Sequence, residues 1–238
     1  MNMETLELPS GTIFDASDIA LMREFARVGF IRWSDDPFTL KSGIRSHVYV
    51  CGREDFTDNP SVLVALARKT LDHADAFMKA RGDTRRPGFI GIPVAGHPLS
   101  IVPATVEAIE HRTGRDVFFR VMREKKKEHG AHHSKWVAGV ADPAAHCYIL
   151  IDNVVTDGGS KREAVDRLAE DSYHAADMDC IVIVDREQGG IPKMRGMGFR
   201  SVSALYTLSD MTGAFVALGL WPQESAERVA EEIGAHHA

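Results

Sequence analysis

Between Asp15 and Gly29, the apolar positions Ile19, Met22, Phe25 and Ala26 fall on one face of a 3.6-residue repeat. Asp15 or Ser17 can cap that helix and Gly29 can end it. The next stretch, FTLKSGIRSHVYVCG, alternates loosely between apolar and polar positions and predicts a pair of hairpin strands. Asn59-Pro60 places a capping residue before a proline at the first helical position. The helix that follows runs on Leu63, Leu66, Thr70, Ala74 and Phe77 to about Arg81 and stops at Gly82.

Beyond Gly82 the pattern becomes regular. Strands are predicted at GFIGIP (88–93), DVFFRVM (116–122), CYILID (147–152), DCIVIVD (179–185) and SVSALY (201–206). Helices are predicted at 97–111 and 159–170. Strand runs that are apolar throughout and separated by helices imply a parallel sheet covered on both faces, which is an α/β fold. Two further helices, near 208–218 and 223–233, close the chain. No linker is visible. The expected organisation is an N-terminal helix and hood over residues 1–58, an α/β core over 59–206 and C-terminal helices packed on the core over 207–238.

Composition narrows the function classes. The 238 residues are 44% hydrophobic and 26% charged, with a net charge of -6. That balance fits a soluble globular chain and argues against a general nucleic-acid surface. Cys51, Cys147 and Cys180 are scattered without a CxxC pair, as expected of free thiols in a reducing cytoplasm. The opening MNMETLELPSG is acidic and has no apolar core of a leader, and no window approaches the ~18 apolar residues of a membrane span.

In open α/β sheets, ligands bind at the carboxyl ends of the strands, and four such ends here carry unusual chemistry. TDGGS, Thr156 to Ser160, joins a strand to a helix. Its glycines let backbone amides turn inward, the helix start adds a positive dipole end, and two hydroxyls add donors, so the loop can cradle a phosphate monoester. Without a GKS or GKT it is not a Walker A loop, and taken alone it could be an ordinary turn. Asp152-Asn153 stands one sugar's width away and suits two ribose hydroxyls. REKKKEHG, from Arg123 to Gly130, is a cationic loop without an apolar anchor; it suits a pyrophosphate, although most such runs are solvated. In VDREQGG, Arg186 follows a strand end and can pair with a planar carboxylate, although taken alone a surface salt bridge is the plainer reading. The turn GIPVAGHP can present Val94, Ala95 and Gly96 amides to a diphosphate, and a packing turn explains it equally well on its own. His129, His132 and His133 lack the spacing of a metal site, so no protein-ligated metal is expected.

These motifs resemble those of the type I phosphoribosyltransferases and, within them, the orotate phosphoribosyltransferase family. ILIDNVVTDGGS is similar to the phosphoribosyl-pyrophosphate (PRPP) signature of the whole superfamily. FTLKSGIRSHVYV, the Arg…Lys-x-His-Gly loop, and VDREQGG followed by ALYTLSDM are similar to features of the orotate enzymes, in the same order, over about 25–211. The resemblance implies transfer of phosphoribose from PRPP to orotate, with Mg²⁺ carried on the pyrophosphate and ribose hydroxyls, in a homodimer whose mobile loop crosses to the partner. It implies that Thr156, Asp157, Gly158, Gly159 and Ser160 hold the 5'-phosphate and that Asp152 and Asn153 face the ribose. Arg123, Lys127 and His129 would cover the pyrophosphate, and Lys41, Tyr49, Thr156 and Arg186 would neighbour the base.

The chain also departs from the family pattern. Asn153 replaces a second acid, Asp157 a small or neutral residue, Glu124 a common Lys, and Ala95 a frequent Lys; SHVYV replaces a proline-and-aromatic run. An acid beside a phosphate costs on the order of 4 kcal/mol per charge pair at an effective dielectric of 20, so the Asp157 side chain is expected to point out of the cradle. On charge alone, Asn153→Asp is expected to raise turnover. Two alternatives stand beside the orotate reaction: a non-catalytic PRPP or nucleotide binder of the same fold, and a phosphoribosyltransferase for another base.

Overall fold

The computed structural model describes residues 4–40, 43–126 and 135–235. Its centre is a five-stranded sheet, parallel throughout, in the order β6-β5-β7-β8-β9: β5 (Arg86–Gly91), β6 (Phe118–Val121), β7 (His146–Val155), β8 (Met178–Asp185) and β9 (Ser201–Thr207). The central runs 147–151 of β7 and 180–184 of β8 are apolar because both faces are covered. Ile149, Ile151, Ile181 and Ile183 enter one core, and Tyr148, Leu150, Cys180 and Val182 enter the other. This is the period-two division that a strand imposes on successive side chains.

The first core is covered by α1 (Ala16–Val28), α3 (Pro60–Ala80), α4 (Gly96–Glu110) and α7 (Leu208–Ala217). The second is covered by α5 (Gly159–Glu170) and the short α6 (Gly190–Arg195). In α1, Asp15 accepts from Ser17 N and Asp18 N while Asp18 accepts from Asp15 N, a reciprocal capping box, and Gly29 closes the helix with φ 76°.

The hood is an antiparallel pair, β3 (Ile31–Thr39) and β4 (Arg45–Val50), followed by the one-turn α2 (Glu54–Thr57). Its first strand starts at Ile31, earlier than the alternation beginning at Phe38 indicates, because the register shifts between Trp33 and Phe38 and breaks the pattern. A small hairpin, β1 (Thr5–Glu7) with β2 (Ile13–Asp15), occupies a stretch whose acidic composition gave no strand signal. The last helix, α8 (Glu224–Ala235), lies on the hood as well as on α7: Glu232 accepts from Ser46 Oγ and His47 N, both near the start of β4.

One boundary changes the picture of the ligand edge. β7 does not end at Asp152. It stays paired with β8 through Val155, so Asp152 and Asn153 sit inside the strand and inherit its rigidity.

Candidate active site

The carboxyl ends of β5, β7 and β8 open into a cleft of about 750 Å³ roofed by the hood. Asp152, Asn153, Thr156, Asp157, Gly158, Gly159 and Ser160 all line it, as do Val94, Ala95, Tyr49 and Arg186. Motifs that are far apart in the chain therefore share one space. Gly96 is buried behind the turn, at the start of α4. Arg123 does not line the cleft. It stands at the root of the cationic loop, its N–H donating to Trp136 O at 2.8 Å and its Nε without a partner among the described residues. Lys41, Lys127, His129, His132 and His133 lie outside the described residues.

The turn after β5 depends on close backbone approach. A Cβ on Gly91 would lie 2.1 Å from Gly96 O, and one on Gly96 would lie 2.6 Å from Ile151 O, so both positions exclude a side chain. Ile92 N donates to Ile151 O at 3.0 Å, which ties this turn to β7 beside Asp152.

The cradle begins with Gly158 in the left-handed region, φ 81°, at the N-cap of α5, where the capping residue itself has no side chain to offer. Asp157 is exposed. Its Oδ1 accepts from Gly159 N at 3.2 Å. The physical reason is local. A helix start leaves amides without partners, and an aspartate two residues upstream can satisfy one of them. One amide of the loop is thus already engaged by an acid.

At the floor of the cleft, sequence reading missed a lysine. Lys161 is 3% exposed, and its Nζ lies 2.7 Å from Asp152 Oδ2, donates to Val154 O and reaches Ser160 Oγ at 3.3 Å. A signal for it existed: Lys161, Ala164 and Leu168 form the buried stripe of α5, which puts the lysine on the core face. Beside it, Asn153 Nδ2 donates to Cys51 O in the hood, and Asn153 N donates to Asp152 Oδ1 at 2.9 Å. An aspartate at 153 could not donate to that carbonyl.

Arg186, which follows β8, is 2% exposed. Its guanidinium donates to three neutral acceptors: Val48 O at 3.1 Å, Ser46 Oγ at 2.7 Å and Gln188 Oε1 at 3.4 Å. No carboxylate among the described residues forms an ion pair with it. Burial pushes its pKa down to about 10, with Glu232 opposing the shift, and the group remains charged at neutral pH. A buried charge held only by neutral groups is a strong site for an incoming anion.

The hood contributes two more cations that sequence reading did not single out. Arg32 lines the cleft and pairs with Asp55 at 2.7 Å, and Arg53 lines it as an exposed side chain. The three cysteines are free. Burial raises the pKa of Cys51 and pushes that of Cys147 up to about 11, so neither is a ready nucleophile.

No family model matches the chain. Among curated proteins it is similar to an orotate phosphoribosyltransferase of Methanopyrus kandleri, with 31% identity over 186 residues, covering 78% of this chain and 87% of the relative. Among solved structures it is similar to UMP synthase of Leishmania donovani, with a TM-score of 0.69 at 18% identity, covering 91% of this chain and 42% of that one. It is also similar to orotate phosphoribosyltransferase of Aeropyrum pernix, with a TM-score of 0.58 at 21% identity, covering 84% of this chain and 99% of that one. The likeness to these two structures is one of fold.

Proposed function

Because this chain belongs to the orotate phosphoribosyltransferase family, we propose that it transfers phosphoribose from PRPP to orotate, or to a similar planar acid, giving orotidine 5'-monophosphate and pyrophosphate. The observation that carries this reading is Arg186. A buried guanidinium without an ionic partner among the described residues opens onto the same cleft as the glycine cradle and Asp152, and its natural complement is the carboxylate of a flat base.

In the proposed mechanism the cradle amides and Ser160 bind the 5'-phosphate, and Asp152 accepts a ribose hydroxyl. The base nitrogen gives up its proton, which the departing pyrophosphate takes, and bonds to the anomeric carbon. The bond from that carbon to the pyrophosphate oxygen breaks, and its electron pair leaves with the pyrophosphate. The ring gains positive charge in the transition state, and a carboxylate below it is stabilising, as a well-placed donor is for an oxyanion at ~3 kcal/mol. Lys41, Lys127 and His129 are proposed to act as the family resemblance implies, toward the base and the leaving group, and Arg123 to assist from the loop root. Mg²⁺ is proposed to arrive as part of the PRPP substrate. The donor set suits this, because Lys161 already pairs with Asp152 and the Asn153 amide is held by Cys51 O.

A homodimer is also proposed. Phe119 and Val121 on the sheet's edge strand and Ile109 on the neighbouring α4 are exposed, and an exposed apolar edge is a surface that proteins normally cover. The free cysteines fit a reducing, cytoplasmic setting. Among the described residues no helix is long and apolar enough to cross a membrane.

A second reading, a non-catalytic binder of PRPP or a nucleotide, is favoured by specific observations: Lys161 offsets the charge of Asp152, Asp157 occupies a cradle amide, and Ala95 offers no cation. One experiment separates the two. Loss of orotate absorbance on adding PRPP and Mg²⁺ supports transfer. PRPP binding by calorimetry without consumption of orotate or of other bases supports the binder, and turnover with a different base moves the substrate while keeping the chemistry.

A further inference from the structure

Arg186 is held by an element that sequence order places far from it. Ser46 Oγ accepts from Arg186 Nη2 at 2.7 Å and from Val48 N at 3.1 Å, and it donates to Glu232 Oε2 at 2.6 Å. A serine hydroxyl has one proton and two lone pairs, so all three are used, and Ser46 is fully buried. Glu232 therefore sets which way the proton points. Its other oxygen accepts from His47 N at 2.8 Å and from the His47 ring at 2.7 Å, which anchors α8 to β4. Burial alone would raise the pKa of Glu232. The bonds from Ser46 and His47 outweigh burial and hold the pKa below the usual carboxylate range, so the group is an anion at neutral pH.

We propose that Ser46 and Glu232 are positioning residues for base recognition, through which the C-terminal helix aims the Arg186 guanidinium at the acidic group of the base, a role that rests on the transfer reaction proposed above. Three segments converge on one cation: the hood strand, the loop after β8 and α8. Without Glu232 the Ser46 proton can turn to Val48 O, which lies 3.1 Å away and already accepts from Arg186 Nη1. The lone pairs of the hydroxyl turn with its proton, so the acceptor that Arg186 Nη2 uses moves out of line and the guanidinium loses its fixed plane. A planar bidentate contact is sensitive to that loss, whereas the phosphate cradle, built from other segments, is not.

The test is steady-state kinetics and calorimetry on wild type, Ser46→Ala, Glu232→Gln and the double variant. Glu232→Gln keeps the volume but offers one acceptor oxygen where two are used. Each single change is expected to raise the KM for orotate about tenfold, the equivalent of losing one such hydrogen bond to a charged group. The KM for PRPP should stay near wild type even where the thermal midpoint falls, and the orotate KM of the double variant should be no worse than that of the worse single, because both act through one chain of bonds. Additive effects, or a parallel rise in the KM for PRPP, would overturn the proposal. So would an unchanged orotate KM in Glu232→Gln, which decides the matter if Ser46→Ala fails to fold. A wild-type chain that neither binds nor consumes orotate overturns the functional reading itself, and this role with it.

Discussion

Lys161 and Asp152 form a buried ion pair at the floor of the cleft, with Nζ 2.7 Å from the carboxylate. The pair makes the acid proposed to face the ribose part of the folded scaffold as well as of the site. Removing one partner of a buried pair leaves the other uncompensated, which typically costs 3–5 kcal/mol. Lys161→Met is therefore expected to lower stability by about 3 kcal/mol in urea titration. Adding Asp152→Asn should recover most of that loss, giving a strong positive coupling in the double-mutant cycle.

Asn153→Asp is expected to reverse the simple charge prediction. The Asn153 amide donates to Cys51 O and so ties β7 to the hood. A carboxylate there meets a carbonyl with no proton to share. The variant should lose about 1–3 kcal/mol of stability, the cost of an unsatisfied polar contact, and show a raised KM for PRPP. A stable variant with higher turnover would refute the tie to the hood as the reason for the amide.

Asp157→Ser removes the acid that now takes the Gly159 amide. The freed N–H and the lost negative charge both favour a phosphate. Calorimetry with ribose 5-phosphate should show roughly tenfold tighter binding, and the gain should shrink as salt screens the exposed carboxylate. Unchanged affinity at low salt would mean that the phosphate does not use this amide.

Asp179 predicts an acid-labile clamp at the opposite end of the sheet. It is fully buried. Burial would raise its pKa, but Arg81 and Arg200, each at 2.6 Å, and Ser201 at 2.7 Å outweigh burial and lower it. A depressed folded-state pKa means that the stabilisation is present above the unfolded value of about 3.9 and is lost as pH falls below it. Asp179→Asn should cost about 3 kcal/mol at pH 7. The gap between variant and wild type should narrow at pH 3, as measured by denaturant midpoints.

Much of this was legible in the chain itself. Apolar runs such as CYILID and DCIVIVD specify buried parallel strands because both of their faces must be covered, and Gly158-Gly159 specifies a turn that few other residues can make. Local signals of this kind act over a few residues, so they survive without knowledge of the fold. What the tertiary structure alone decided was which charges meet. Asn153 reaches Cys51 across 102 positions, Arg186 reaches Ser46 across 140, and Ser46 reaches Glu232 across 186. Lys161 is a sharper case, because the helical stripe places it inward, yet only the docking of α5 on β7 puts Asp152 opposite its amine. A buried charge is tolerable only with its partner in place, and that pairing depends on how the segments dock, which no local pattern encodes.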